Sequence, residues 1–125
     1  MNLNLLVTGA SGFIGSFVVE EALRRGMEVW AGVRKSSSRQ YLQDSRIHLI
    51  ELDFSSADTL REQLRGHHFD YVVHAAGATK CLHKRDFYRV NTLGTKNLAD
   101  AIIALKMKMK RFIFISSLSI FGPVR

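Results

Sequence analysis

The sequence is poor in cysteine, proline and acid. Cys81 is the one cysteine among 125 residues, so no disulfide can close within the chain and a reducing compartment is the natural expectation. Pro123 is the one proline, and neither a long polar tract nor a repeat is visible, which argues against linkers, solenoid arrays and disordered tails. No apolar run approaches the ~18 residues of a membrane-spanning helix, and the apolar start Leu3–Val7 is too short for a secretory signal. A hydrophobic content of 46% over this length supports one globular domain and no second one. The expectation is one cytoplasmic globular domain over residues 1–125, with no membrane partner.

The shortage of acid leaves 11 acidic against 18 basic residues and a formal charge of +7. Such an excess suits an anionic ligand, a nucleic-acid surface or a solvated face without a task. The densest stretch, KMKMKR at Lys106–Arg111, falls where a helix should end, and cations suit that end of the helix dipole. The solvated face is therefore preferred there. No zinc-finger or RNA-recognition pattern accompanies the charge, so no nucleic-acid partner is expected. His67, His68, Cys81 and His83 match no zinc spacing, and no metal is expected.

What is present is a regular alternation. Apolar runs of strand length recur at Leu3–Thr8, Glu28–Val33, Ile47–Leu52, Tyr71–Ala75 and Phe112–Ser116. They are continuous rather than alternating, as in strands buried on both faces of a parallel sheet. Helical patterns lie between them. After Gly12, the residues Ile14, Phe17, Val18 and Ala22 mark one face, and Gly26 closes the helix. Ser55–Gly66 has capping residues and apolar positions at Ala57, Leu60 and Leu64. A third helix is expected from about Arg85 to Lys106, entered through a loop at Gly77–Lys84. Right-handed crossovers arrange such a chain as an α/β, doubly wound parallel sheet, most simply in the order 3-2-1-4-5. Ligands on these sheets bind at the carboxyl ends of the strands where the order reverses, here between strands 1 and 4.

That location coincides with the segment VTGASGFIG, Val7–Gly15. Gly9, Gly12 and Gly15 join the first strand to the first helix. Glycine there permits a tight turn, lets a pyrophosphate approach the backbone and brings helix and sheet together, while the helix N-terminus presents N–H groups to phosphates. In a strand–turn–helix setting this reads as dinucleotide binding.

The spacing is Gly-x2-Gly-x2-Gly after Thr8, and with it the chain resembles the extended short-chain dehydrogenase/reductase family, the epimerase/dehydratase group and its reductase relatives. Four further segments carry the resemblance in order: ELDFSS with Asp53 and Phe54, HAAG ending at Gly77, YRVNTLGTKNL with Asn91, and RFIFISSLSIFG with Ser116 and Ser117. The resemblance covers almost the whole chain. It implies a Rossmann-like fold ending here after strand 5, and a cofactor site formed by Thr8, Gly9, Ser11, Gly12, Phe13, Ile14 and Gly15 around the pyrophosphate. It further implies Asp53 and Phe54 at the adenine, Ala75, Ala76 and Gly77 along the cofactor, Asn91 as a stabilising asparagine, Asn91 and Ser116 among the cofactor-binding residues, and Ser117 as the catalytic Ser/Thr. His74 is expected as a packed strand histidine, and Thr79 and Lys80 border the substrate side. Plainer alternatives stay open. Asp53 could simply cap a turn, Asn91 could bond a neighbouring strand, and Ser116 and Ser117 could be small residues at a strand end.

The end of strand 2 bears on the choice of dinucleotide. Members that bind NAD place an acid about 18–20 residues beyond the glycines to accept from the ribose hydroxyls. Here that position is Val33, followed by Arg34, Lys35, three serines and Arg39, which are donors for a 2′-phosphate. NADP is therefore favoured over NAD, the alternative being that Arg34 stacks on the adenine. Glu28 stands at the other end of the strand.

One further absence limits the chemistry. The family exchanges a proton through a Tyr-x3-Lys pair, but Tyr41, Tyr71 and Tyr88 are followed four places on by Ser45, Ala75 and Thr92. The chain is expected to be the N-terminal cofactor-binding portion of a longer enzyme acting on a hydroxyl or carbonyl substrate, binding the dinucleotide without turning it over. The end of strand 2 tilts the expectation towards a reductase of the dihydroflavonol or hydroxysteroid type. A dinucleotide sensor without catalysis is the alternative. Strand 5 should be an open sheet edge, prone to self-association or to destabilising the isolated piece.

Overall fold

The structure, a computed structural model, describes residues 3–10, 12–34, 42–75 and 92–115. Along the chain run β1 (Asn4–Thr8), α1 (Phe13–Arg24), β2 (Glu28–Val33), β3 (His48–Glu51), α2 (Ala57–Leu64), β4 (Tyr71–His74), α3 (Gly94–Ala104) and β5 (Arg111–Phe114). The strands form a parallel sheet in the order β3-β2-β1-β4-β5, the order expected from the alternation of patterns.

The two faces of the sheet carry separate cores. Leu5, Val7, Val29, Ala31, Val33 and Val73 pack against Val19, Ala22 and Leu23 of α1. On the other face Leu6, Ile50, Leu52 and Val72 pack against Leu60 and Leu64 of α2 and Leu98, Ala101 and Ile102 of α3. Successive strand residues point to opposite faces, so β1, with Leu5, Leu6, Val7 and Thr8 all at most 4% exposed, is apolar on both faces at residues 5–7, and the Thr8 hydroxyl is partnered by His74. Centrality in the sheet explains the continuous run.

Two expectations need correcting. Burial on both faces holds for β1, β2 and β4 but not for β3 and β5. In β3 only Ile50 is buried, and every residue of β5 is exposed. Both are outermost strands. Among the described residues β3 and β5 each have one neighbouring strand, and Leu49, Phe112, Ile113 and Phe114 stay partly exposed although Phe112 and Phe114 lie beside His74. The second correction concerns α1. Its buried residues are Gly15, Val19, Ala22 and Leu23, with Val18 partly covered, whereas Ile14 and Phe17 are exposed together with Phe13. The approach of Gly15 to the turn sets the helix rotation and turns 13, 14 and 17 away from the sheet.

Helix ends follow local chemistry. Ser56 caps α2 by accepting from the Thr59 N–H at 3.3 Å. At the end of α3, Lys106 takes a left-handed φ of 53° and Met107 N–H reaches back to the Ile102 carbonyl, a helix stop made without glycine. The helix therefore ends at Ala104, and the basic run lies beyond it. Lys106, Lys108 and Lys110 are exposed while Met107 and Met109 pack on the α2/α3 core. The expected loop Gly77–Lys84 and the helical stretch 85–91 lie outside the described residues. Among the described residues no helix is long and apolar enough to cross a membrane.

Candidate functional site

The carboxyl ends of β1 and β4 lie side by side, in register from Leu5↔Tyr71 to Thr8↔His74, and the strand order reverses between them. β1 leads straight into Gly9, whose φ of 66° is open to glycine and costly for other residues. The turn is closed by the Gly12 N–H donating to the Gly9 carbonyl at 3.0 Å. A side chain at Gly15 would run into that same carbonyl, with the Gly9 carbonyl carbon at 2.8 Å from the added Cβ. One at Gly12 would meet the carbonyl oxygen at 3.3 Å. Two of the glycines thus fold the turn onto the helix.

This packing brings the start of α1 to the mouth of the site. Gly12 is the N-cap and offers no side-chain cap, and the Ser16 N–H bonds the Gly12 carbonyl at 2.9 Å. The N–H groups of Phe13, Ile14 and Gly15 come before that bond and have no acceptor within the helix, so together with the helix dipole they suit an anion. The exposed Phe13 and Ile14 side chains do not bear on this, because the donors are backbone N–H groups.

Asp53 follows β3 by two residues. Its Oδ1 accepts from the Ser55 N–H at 3.0 Å and the Ser55 hydroxyl at 2.6 Å, and these bonds hold the carboxyl below its usual range. Asp53 N–H donates to Gln63 Oε1 at 2.8 Å. The turn-capping role is therefore real. Both carboxylate bonds fall on one oxygen, so capping does not consume the other. Phe54 is half-buried, and its carbonyl accepts from Asn97 Nδ2 of α3 at 2.8 Å.

His74 ends β4 and is 2% exposed. Its Nδ1 lies 2.6 Å from the Thr8 hydroxyl and its Nε2 lies 3.0 Å from the Thr95 hydroxyl. The rings of Phe54, Phe112 and Phe114 stand 5.6, 6.2 and 5.7 Å from it. Burial pushes its pKa from 6.5 down to about 4, so the imidazole is neutral at physiological pH. This is the packed strand histidine expected from the sequence.

The structure brings together Thr8, Gly9, Gly12, Phe13, Ile14, Gly15 and Ala75, whose N–H donates to the Thr8 carbonyl at 3.2 Å. Asp53 and Phe54 follow β3, two strands from β1, and are linked to the same end through α3. Val33 is buried at the end of β2 and Arg34 is exposed after it. Ser11, Lys35, Ala76, Gly77, Thr79, Lys80, Asn91, Ser116 and Ser117 lie outside the described residues. So do Cys81 and His83, while His67 stacks beside Phe69 and His68 lies 3.3 Å from Asp70. Three neighbours escaped the sequence pattern. Thr95 and Asn97 sit in the quoted NTLGTKN segment, where their polar side chains at the start of a helix were the signal available. Glu51 pairs in register with Val33 and is exposed, and only the strand pairing reveals that it stands beside the end of β2.

A parallel sheet that reverses its order beside a glycine turn and an uncapped helix start defines a Rossmann-like fold. The family model described as the NAD dependent epimerase/dehydratase family matches residues 5–125, and the chain belongs to that family. The chain is 30% identical over 122 residues to a UDP-glucose 4-epimerase of Azospirillum brasilense, an alignment covering 94% of this chain and 34% of the relative. It is 36% identical over 118 residues to cinnamoyl-CoA reductase 1 of Oryza sativa subsp. japonica, covering 89% of this chain and 33% of the relative. It thus spans about a third of the length of both relatives. Among solved structures, the Thermus thermophilus UDP-glucose 4-epimerase in complex with NAD superposes with a TM-score of 0.72 at 26% identity, covering 86% of this chain and 36% of that one.

Proposed function

We propose that the chain binds a nicotinamide dinucleotide across the carboxyl ends of β1 and β4, NADP in preference to NAD, as the cofactor-binding portion of an oxidoreductase acting on a hydroxyl or carbonyl substrate. The observation that carries this reading is the contact of Gly15 with the Gly9 carbonyl, which sets the uncapped start of α1 against the turn. The residues fit the group. Thr8, Gly9, Ser11, Gly12, Phe13, Ile14 and Gly15 would cradle the pyrophosphate through backbone N–H groups. Asp53 and Phe54 would border the adenine, and Ala75, Ala76 and Gly77 would flank the dinucleotide beyond β4. When bound, the dinucleotide supplies a hydride donor or acceptor. Ser117 would orient the reacting oxygen, with Asn91 and Ser116 beside it and Thr79 and Lys80 towards the substrate. Resemblance to both an epimerase and a reductase leaves the substrate class at a hydroxyl or carbonyl compound.

The preference for NADP rests on Arg34, exposed directly after the buried Val33 where an NAD-binding member has its acid. Lys35 adds a second cation in sequence. One observation favours NAD instead. Glu51 stands in register with Val33 on the next strand, roughly 4.8 Å away, and its carboxylate would repel a 2′-phosphate and accept from ribose hydroxyls. Calorimetric titration with NADPH and NADH, on the chain and on Arg34→Ala, separates the two. Tighter NADPH binding that is lost in Arg34→Ala supports the phosphate reading. Tighter NADH binding untouched by the substitution overturns it, and absence of binding by either overturns the dinucleotide site.

The same reading extends to the β5 edge. Phe112, Ile113 and Phe114 are exposed beside an outermost backbone edge, and such edges pair with other strands. A second copy of the chain meeting it there would make the isolated protein self-associate.

A further inference from the structure

Two polar side chains in the first turn of α3 reach other elements, while Lys96 pairs with Asp100 of the same helix. Thr95 reaches His74, and through the ring reaches Thr8, the residue before the glycine turn. Asn97 holds the carbonyl of Phe54, the residue after Asp53. Gly94 is buried against Phe54, whose Cβ would stand in ordinary contact, at 3.4 Å, with a side chain added there. One helical turn is thereby tied to both loops that wall the site.

The central link has a definite polarity. A neutral imidazole has one N–H donor and one acceptor nitrogen. With hydroxyls at 2.6 and 3.0 Å on its two nitrogens, the ring must donate to one threonine and accept from the other. The ring is buried among Phe54, Phe112 and Phe114, where an unpartnered nitrogen is costly. Each threonine therefore fixes the ring for the other.

We infer that Thr95 is a positioning residue of the dinucleotide site, holding the His74 ring so that Thr8 presents the glycine turn already ordered for a pyrophosphate. The inference rests on the dinucleotide reading above. Without the Thr95 hydroxyl, the turn must be ordered at the moment of binding, and affinity falls although Thr95 touches no part of the nucleotide.

The test uses the full chain with Thr95→Val, which keeps shape and removes the hydroxyl, and Thr95→Ser, which restores it. Each is titrated calorimetrically with NADPH and NADH at a temperature where all three proteins are folded, and the imidazole nitrogen resonances of His74 are recorded. The inference expects affinity about ten-fold weaker in Thr95→Val, one lost hydrogen bond's worth, with near-native binding in Thr95→Ser. It also expects one fixed tautomer in the unsubstituted and Ser proteins, and an averaged one in the Val protein. Unchanged affinity in Thr95→Val, or a loss that Thr95→Ser fails to restore, overturns the positioning role while the dinucleotide site stands. Failure of the unsubstituted chain to bind either dinucleotide overturns the site itself and the inference with it.

Discussion

β1 and β5 are both short, apolar parallel strands ending on the same side of the sheet, yet their surroundings are opposite. In β1 the side chains of Leu6, Val7 and Thr8 are fully buried, whereas Phe112, Ile113 and Phe114 of β5 are 37%, 44% and 49% exposed. Position in the sheet explains the contrast. β1 has β2 and β4 as neighbours, with α1 on one face and α2 and α3 on the other, whereas among the described residues β5 has only β4. Apolar sequence reports what a strand is built to meet; neighbours decide whether it meets it. Burial therefore concentrates at the β1–β4 seam, where binding is proposed, and exposure at the β5 edge, where association is proposed.

Substitutions should reveal that division. Leu6→Ala, at a site with no exposed surface, should cost about 2–5 kcal/mol, read as a lower denaturant midpoint; a cost below about 1 kcal/mol would erase the contrast with β5. The next effect is one of pH at the seam. The folded His74 takes its proton near pH 4, against the ordinary 6.5. Between those values the unfolded chain binds more protons, so the stability of the neutral ring is complete above about pH 6.5 and is lost as pH falls towards 4. The loss amounts to ~3 kcal/mol. Denaturant titrations across that range should show the fall, and His74→Asn, with nothing to protonate at that position, should flatten it.

Gly15→Ala should cost about 1–3 kcal/mol through forced packing against the Gly9 carbonyl, and should weaken dinucleotide binding by more than its stability loss implies, since it displaces the start of α1. The smallest effect on folding belongs to the edge. Ile113→Lys should change stability by no more than about 0.5 kcal/mol yet suppress self-association measured by light scattering at high concentration. A chain that stays monomeric with or without the substitution would remove the edge from the account.

Much of this arrangement could be read from the residues. The five apolar runs, the glycine spacing and the cap at Ser56 are local signals, and each found its element. The rotation of α1 was not legible, because Ile14 and Phe17 fit a helical stripe as well as Val19 and Leu23 do; the Gly15 contact, which is tertiary, decides between them. The open edge of β5 was expected, but the exposed faces of β3 and β5 were not, since a continuous apolar run looks alike in a central strand and an edge one. Asp53 shows the limit at the site, because its bonds to Ser55 are local whereas any contact with adenine is not. Thr95, Asn97 and Glu51 gain their meaning only from what they meet across 21, 43 or a strand pair's worth of chain.

The central claim is that the seam between β1 and β4 holds a dinucleotide. Amide spectra of the labelled chain titrated with NADPH, and in parallel with NADH, test it directly. The account predicts saturable shifts at Gly9, Gly12, Phe13, Ile14, Gly15 and Ala75, with little change at Arg111 and Phe112. Saturable shifts confined to the Lys106–Arg111 run, with the glycine turn unmoved, would contradict it.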